Sequence, residues 1–285
     1  MSSHHPALQP DILRPQVAQA LAEDVGPEDI TAALLPKQLK VRGRLLLREP
    51  AVLCGRPWWD EVFRQLGNSV QTRWLAEEGQ HLAAGTSVCE LEGPARAVLT
   101  GERTAINFLQ TLSGTATRTA HWQALLAGTG CTLLDTRKTL PGLRLAQKYA
   151  VHIGGGRNHR LGLYDAFLIK ENHILAAGSI AAVLQQARRR HPDRLLEIEV
   201  ENLDELEQAL TAGCDRVLLD NFTLGDMRKA VALRDRLAPG ITLEASGNLD
   251  TDRLQAVAAT GVDFISSGAL TKHLQAVDFS LRLLD

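Results

Sequence analysis

The chain reads as α/β, a small α+β domain followed by a larger domain built on a parallel sheet. Three observations lead there. Its 285 residues exceed the ~100 to 200 of one ordinary domain. After Gly101 short apolar runs alternate with helical patterns, which implies parallel strands joined by helices. Nearly every one of those runs leads directly into charged or small polar residues.

The spacing of Val17, Ala20 and Leu21 predicts a helix over Leu13 to Glu23, stopped by Gly26-Pro27. Strand-like stretches follow at Val41 to Leu47, Val70 to Leu75, Ser87 to Leu91 and Ala95 to Leu99, with a turn at Gly93-Pro94 and a helix over Trp58 to Gln65. Glu102 to Leu126 predicts a long helical stretch, broken at Ser113-Gly114. Strands then recur at Thr132 to Leu134, Ala166 to Ile169, Leu195 to Val200, Arg216 to Leu219, Ile241 to Leu243 and Val262 to Ile265. Helices fall at Ala181 to Arg190, Leu203 to Ala212, Asp226 to Leu237 and Thr251 to Ala259. A β/α barrel gathers all its strand ends at one mouth, whereas a doubly wound sheet uses a single switch point. Six polar strand ends favour the barrel.

Lys plus Arg number 31 against 33 Asp plus Glu, which excludes a strongly basic footprint for nucleic acid or anionic membrane. Aromatics are 4 % of residues, too few for a base-stacking surface. No apolar run approaches the ~18 residues of a membrane span. Cys54, Cys89, Cys131 and Cys214 are scattered, without a zinc or disulfide spacing, and the polar start Met1 to Pro10 lacks signal-peptide character. A cytoplasmic location with reduced thiols is expected.

Two constellations carry the chemistry. Between Asp135 and His173 seven Lys/Arg (Arg137, Lys138, Arg144, Lys148, Arg157, Arg160, Lys170) stand against three acids. Arg137, Lys138 and Lys170 fall at strand ends, and Arg160 follows Gly154-Gly155-Gly156, a set suited to a small, multiply anionic ligand. Arg144 and Lys148, four apart on a helix, read as a solvated face. From Glu197 to Asp226 there are nine acids and one base, Arg216. Alternation sends Glu197, Glu199 and Glu201 to one face, and hard oxygens without His or Cys partners suit Mg²⁺ held together with a substrate phosphate; alternatively Glu197 and Glu201 only balance the barrel's cations. Ser246-Gly247-Asn248 and Ser266-Ser267-Gly268 at the last strand ends suit a phosphate cradle. Dinucleotide, Walker, nucleophile-elbow and zinc-helix patterns are absent.

Gly101 to Ala105, Leu134 to Arg144 and Asn158 to His173 closely resemble quinolinate phosphoribosyltransferases, type II enzymes of the carboxylating kind, and the likeness continues through Glu197 to Asn202, Leu218 to Phe222, Ser246 to Asn248 and Gly261 to His273. The resemblance implies an N-terminal α/β sandwich over residues 1–112 and an incomplete, TIM-like α/β barrel over 113–285, whose last residues pack back on the first domain. It implies transfer of phosphoribosyl from phosphoribosyl pyrophosphate to quinolinate with loss of CO₂, in NAD biosynthesis, with Mg²⁺ and no organic cofactor. Quinolinate would be held by Arg103, Thr136, Arg137, Lys138, His159, Arg160 and Lys170. Phosphoribosyl pyrophosphate would meet Lys138, Glu199, Asp220, Ser246, Gly247, Asn248, Ser267 and Gly268, with Glu199 and Asp220 as metal and ribose carboxylates. Lys138, Lys170, Glu199 and Asp220 would be catalytic, and Arg103 would reach the neighbouring subunit's site in a homodimer, or a higher oligomer. Two rivals stand beside it: the molybdenum-locus homologue of unknown substrate, which the joint presence of Arg103 and His159-Arg160 disfavours, and a non-catalytic barrel that binds sugar phosphates. Arg157 departs from the family pattern, where a small residue is expected, and leaves the local loop conformation open.

Overall fold

The structure is a computed structural model and describes residues 5–247 and 251–284. It falls into two compact units, Met1–Ala120 with Thr139–Gly155 and Leu270–Asp285, and His121–Lys138 with Gly156–Ala269.

The first unit contains, in chain order, α1 (Pro10–Val25), β1 (Lys40–Leu47), β2 (Ala51–Val52), α2 (Arg56–Gln65), β3 (Gln71–Trp74), β4 (His81–Leu82), β5 (Ser87–Pro94) and the start of α3 (Ala95–Leu125). Proline opens α1, where the missing N–H has no intrahelical partner to lose. β1 alternates exposed or half-buried with buried residues from Gly43 onward, so that Leu45 and Leu47 enter the core beside Trp58, Trp59, Val62, Leu109 and Leu112. Both buried indoles keep a partner: Trp58 Nε1 donates to Gln16 and Trp59 Nε1 to Thr72, each at 3.1 Å. An antiparallel sheet runs in the order β12-β1-β5-β3, where β12 (Phe279–Leu284) pairs with β1 from Arg42↔Leu284 to Leu47↔Phe279.

The second unit is a parallel sheet of six strands. β6 (Thr132–Leu134) comes first, and the chain then supplies α4 (Arg144–Ile153) to the first unit. β7 (Ala166–Ile169), α5 (Glu171–Ala177), α6 (Ile180–Arg190), β8 (Leu195–Val200), α7 (Leu203–Ala212), β9 (Arg216–Asp220), α8 (Leu224–Leu237), β10 (Thr242–Ser246), α9 (Thr251–Ala258) and β11 (Phe264–Ser266) follow. The spatial order is β6-β11-β10-β9-β8-β7. Among the described residues no ladder joins β6 to β7, so the barrel is incomplete; a single parallel bridge between Leu134 and Arg157 extends the β6 edge. Asn202 and Thr223 start α7 and α8 promptly after β8 and β9 by capping them through their side-chain oxygens, and Ser179 caps α6 in the same way after α5. No helix among the described residues is long and apolar enough to cross a membrane.

Several expectations are corrected. Ala95 to Leu99 is not a strand but the start of α3: Ala95 and Val98 are buried while Leu99 is 36 % exposed, a helical spacing, and the Arg96 guanidinium binds the Ala33 and Leu35 carbonyls. Gly93-Pro94 is not a turn but the end of β5, where a side chain at Gly93 would come within 2.9 Å of Val70 Cα. α3 is unbroken at Ser113-Gly114, so the 112/113 boundary falls inside a continuous helix. The Ser113 hydroxyl bonds to the Cys54 amide and carbonyl, and Gly114 leaves room for the Gln275 backbone. Lys148 does not face solvent with Arg144: it is completely buried, and Arg144 is half-buried. Arg157 fits without strain, its amide donating to Leu133 and its carbonyl accepting from Asp135 while the side chain is exposed. All four cysteines are buried and free.

Candidate active site

Most described site residues of the second unit lie at or just after the ends of its parallel strands, whereas His159 and Arg160 lie in the loop between α4 and β7. After β6, the Thr136 hydroxyl accepts the Lys138 backbone N–H at 3.0 Å, a local turn that sends consecutive side chains apart. A Cβ on Gly268 would lie 2.7 Å from Lys138 Cδ and 3.3 Å from Thr136 Oγ1, so glycine at the end of β11 makes room for both.

The basic side is built around Arg137 and Arg160. Burial, then the charge of Arg137, pulls the Arg160 guanidinium below its ordinary range. Arg137 Nε is buried with no hydrogen-bond partner among the described residues. Two guanidiniums repelling each other, one with an orphaned donor, make a place for an anion. The loop carrying Arg160 is fastened at both ends: Asp135 accepts from Asn158 Nδ2 and the His159 amide at 2.7 and 2.9 Å, and Asp165 accepts from the Leu161 and Gly162 amides at 2.7 and 2.9 Å.

The acidic side lies on β8 and β9. Glu199 is mostly buried and meets Lys170 Nζ, 2.5 Å away at the end of β7. Asp220 ends β9 and is the register partner of Ser246 on β10, while the Asn221 side-chain Nδ2 donates to its carboxylate at 2.8 Å. The donor set of Glu199 and Asp220, two hard carboxylates on adjacent strands, fits Mg²⁺.

Of the charge beneath these groups, sequence reasoning names Glu197 as a counter-charge to the barrel's cations but misses Glu244. Glu197 and Glu244 are fully buried on β8 and β10, on either side of β9. His159 Nε2 lies 3.0 Å from Glu197 Oε2 and 3.6 Å from Glu244 Oε2, and Arg216 Nη1 lies 3.3 Å from Glu244 Oε2. Burial pushes Glu244 up to about 8, helped by the charge of Glu197, and burial likewise raises Glu197. The available signal was a lone glutamate inside the apolar run Leu243-Glu244-Ala245, a residue type that strand interiors avoid unless paired.

Ser246 ends β10 and Gly247 follows it with φ of 147°, a backbone that favours glycine, and Ser267 donates its backbone N–H to the Leu134 carbonyl at 3.1 Å. Asn248 lies outside the described residues. Arg103 belongs to the first unit, exposed on α3.

The family models of the quinolinate phosphoribosyl transferase N-terminal and C-terminal domains match residues 29–113 and 115–282. A probable nicotinate-nucleotide pyrophosphorylase [carboxylating] of Synechocystis is 40% identical over 274 residues, 96% of this chain and 93% of that protein. The nicotinate-nucleotide pyrophosphorylase [carboxylating] of Mycobacterium leprae is 41% identical over 279 residues, 96% of this chain and 98% of that protein. The solved nicotinate-nucleotide pyrophosphorylase from Francisella tularensis superposes with a TM-score of 0.93 at 47% identity, over 97% of each chain. With both domain models spanning nearly its whole length, this chain belongs to the quinolinate phosphoribosyl transferase family.

Proposed function

We infer that the chain is a carboxylating nicotinate-nucleotide pyrophosphorylase: it transfers phosphoribosyl from phosphoribosyl pyrophosphate to quinolinate, giving nicotinate mononucleotide, pyrophosphate and CO₂, in NAD biosynthesis. Within the structure, the observation that supports this most is the crowding of Arg137 against Arg160, with a buried guanidinium donor left over for a ligand. A substrate with two adjacent carboxylates answers it, since each charge-assisted hydrogen bond contributes about 1.5 to 3 kcal/mol.

Arg137 and Arg160 hold the quinolinate carboxylates with Thr136 and Lys170 beside them, and Arg103 reaches in from the neighbouring subunit of a homodimer. The ring nitrogen forms a bond to ribose C1 as the bond to pyrophosphate breaks. Lys138 meets the negative charge that leaves, and Ser246, Gly247, Asn248, Ser267 and Gly268 hold the 5'-phosphate. Mg²⁺, held by Glu199 and Asp220, adds positive charge against the pyrophosphate when bound. The new bond leaves the ring nitrogen cationic, so the electron pair of the departing 2-carboxylate stays on the ring as CO₂ leaves. Lys170 then delivers the proton to C2. No organic cofactor enters, and the enzyme is cytoplasmic.

Carboxyl-labelled quinolinate, phosphoribosyl pyrophosphate and Mg²⁺ mixed with the protein should release labelled CO₂ and form nicotinate mononucleotide. Retention of all label in quinolinate would defeat this reading.

A further inference from the structure

β6 is an edge strand of the parallel sheet, and the segment after Gly154-Gly155-Gly156 runs along its open side. Arg157 makes one parallel step there: its backbone N–H donates to the Leu133 carbonyl at 2.9 Å, and its carbonyl accepts the Asp135 backbone N–H at 3.2 Å. Beyond that step the Asp135 side chain takes over from the backbone. Its carboxylate is fully buried; Oδ1 accepts the His159 backbone N–H at 2.9 Å and Oδ2 accepts the Asn158 side-chain Nδ2 at 2.7 Å. Burying a carboxylate is costly unless donors meet it, but no other side chain sets two acceptor oxygens side by side for two donors. What lies on either side of this junction gives it a task. Arg137 stands two residues beyond Asp135, and Arg160 directly follows His159. The two guanidiniums repel each other, and repelling cations spread apart unless the backbones that carry them are joined.

We propose that Asp135 is a positioning residue for quinolinate binding: it fastens the strand end that carries Arg137 to the loop that carries His159 and Arg160, so that one substrate meets all three together. Its two bonds run to the His159 backbone and to Asn158, which leaves the His159 ring and the Arg160 guanidinium to quinolinate. The spacing of the clamp is then set by a buried carboxylate that does not itself touch the substrate. The proposal rests on the quinolinate reading above and deepens it.

The test exchanges donor and acceptor between Asp135 and Asn158 and follows steady-state rates with quinolinate and phosphoribosyl pyrophosphate varied in turn. Asp135→Asn turns one acceptor into a donor that faces the Asn158 amide. It should raise the quinolinate KM about tenfold while kcat and the other substrate's KM stay within about threefold. Asn158→Asp sets two carboxylates against each other and should raise the quinolinate KM at least as much. With both changes together one donor again faces one acceptor and the His159 N–H keeps its own, so the quinolinate KM should return to within about threefold of wild type. Asn158→Ala drops the 2.7 Å bond and keeps the charge of Asp135. It should raise the quinolinate KM about three- to fivefold with the same split, and serves if Asp135→Asn does not fold. A double variant that shows both single effects in full, equal rises in the two KM values, or an unchanged quinolinate KM in whichever of Asp135→Asn and Asn158→Ala folds would each overturn the proposal. A wild-type enzyme that releases no CO₂ from quinolinate would instead remove the functional reading on which it stands.

Discussion

Lys170 Nζ lies 2.5 Å from Glu199 Oε2, so the end of β7 is fastened to the end of β8 by a pair whose members are assigned different tasks, proton delivery for the lysine and metal binding for the glutamate. Removing either partner releases the other. Lys170→Ala should lower kcat for CO₂ release about a hundredfold, within the range for loss of a positioned acid. A kcat within a factor of two of wild type would exclude Lys170 as the proton donor.

Arg160→Ala should raise the quinolinate KM roughly 10- to 100-fold, the equivalent of one charge-assisted contact, with less effect on phosphoribosyl pyrophosphate. Initial rates with each substrate varied decide it; an unchanged quinolinate KM would remove Arg160 from the clamp.

Gly268→Ala places a methyl group 2.7 Å from Lys138 Cδ and 3.1 Å from Lys138 Cβ. The lysine must move, so turnover is expected to fall at least about tenfold while the melting temperature changes little. Comparable losses in both would mean that Gly268 serves folding and not the site.

Burial holds Glu244 protonated up to about 8 in the folded state, against an ordinary value of 4.5. Between those limits the folded protein binds more protons than the unfolded chain, so this residue's contribution to stability is lost as pH rises from about 5 to 8. Glu244→Gln cannot titrate, and its stability relative to wild type should improve across that window. Urea midpoints at pH 5, 6.5 and 8 measure the difference, and a gap independent of pH would contradict the assignment.

If Arg103 serves the neighbouring subunit, inactive Arg103→Ala and inactive Lys138→Ala proteins should regain activity when unfolded and refolded together. Random assortment restores roughly a quarter of the sites, since only one site of each mixed dimer has both residues. No recovery would place Arg103 in its own subunit's site.

Much of the barrel was legible because its strands are short apolar runs bounded by helical patterns: Thr132–Leu134, Ala166–Ile169 and Leu195–Val200 fall where periodicity puts them. Ala95 to Leu99 misled because a short apolar run at the start of a helix looks like a strand, and only the exposure of Leu99 separates the two. Of the clamp residues, Arg137 announced itself by lying at a strand end and Arg160 by following a glycine-rich segment. Lys148 and Glu244 did not, because charge in a sequence is read as solvated, whereas both are completely buried. The His159, Glu197 and Glu244 cluster joins a loop to two strands separated by a third, a juxtaposition that no local pattern encodes.

The pairing of β12 with β1 also sets the order of events during synthesis. β1 is complete once residue 47 has left the ribosome, yet its partner on that edge, Phe279–Leu284, emerges more than two hundred residues later. Until then the nascent first unit carries an open strand edge, the kind that invites pairing with other chains. Chaperone dependence and aggregation during expression should therefore track the final strand, and a chain stopped short of Phe279 should be far more prone to associate than its intact barrel strands alone would suggest.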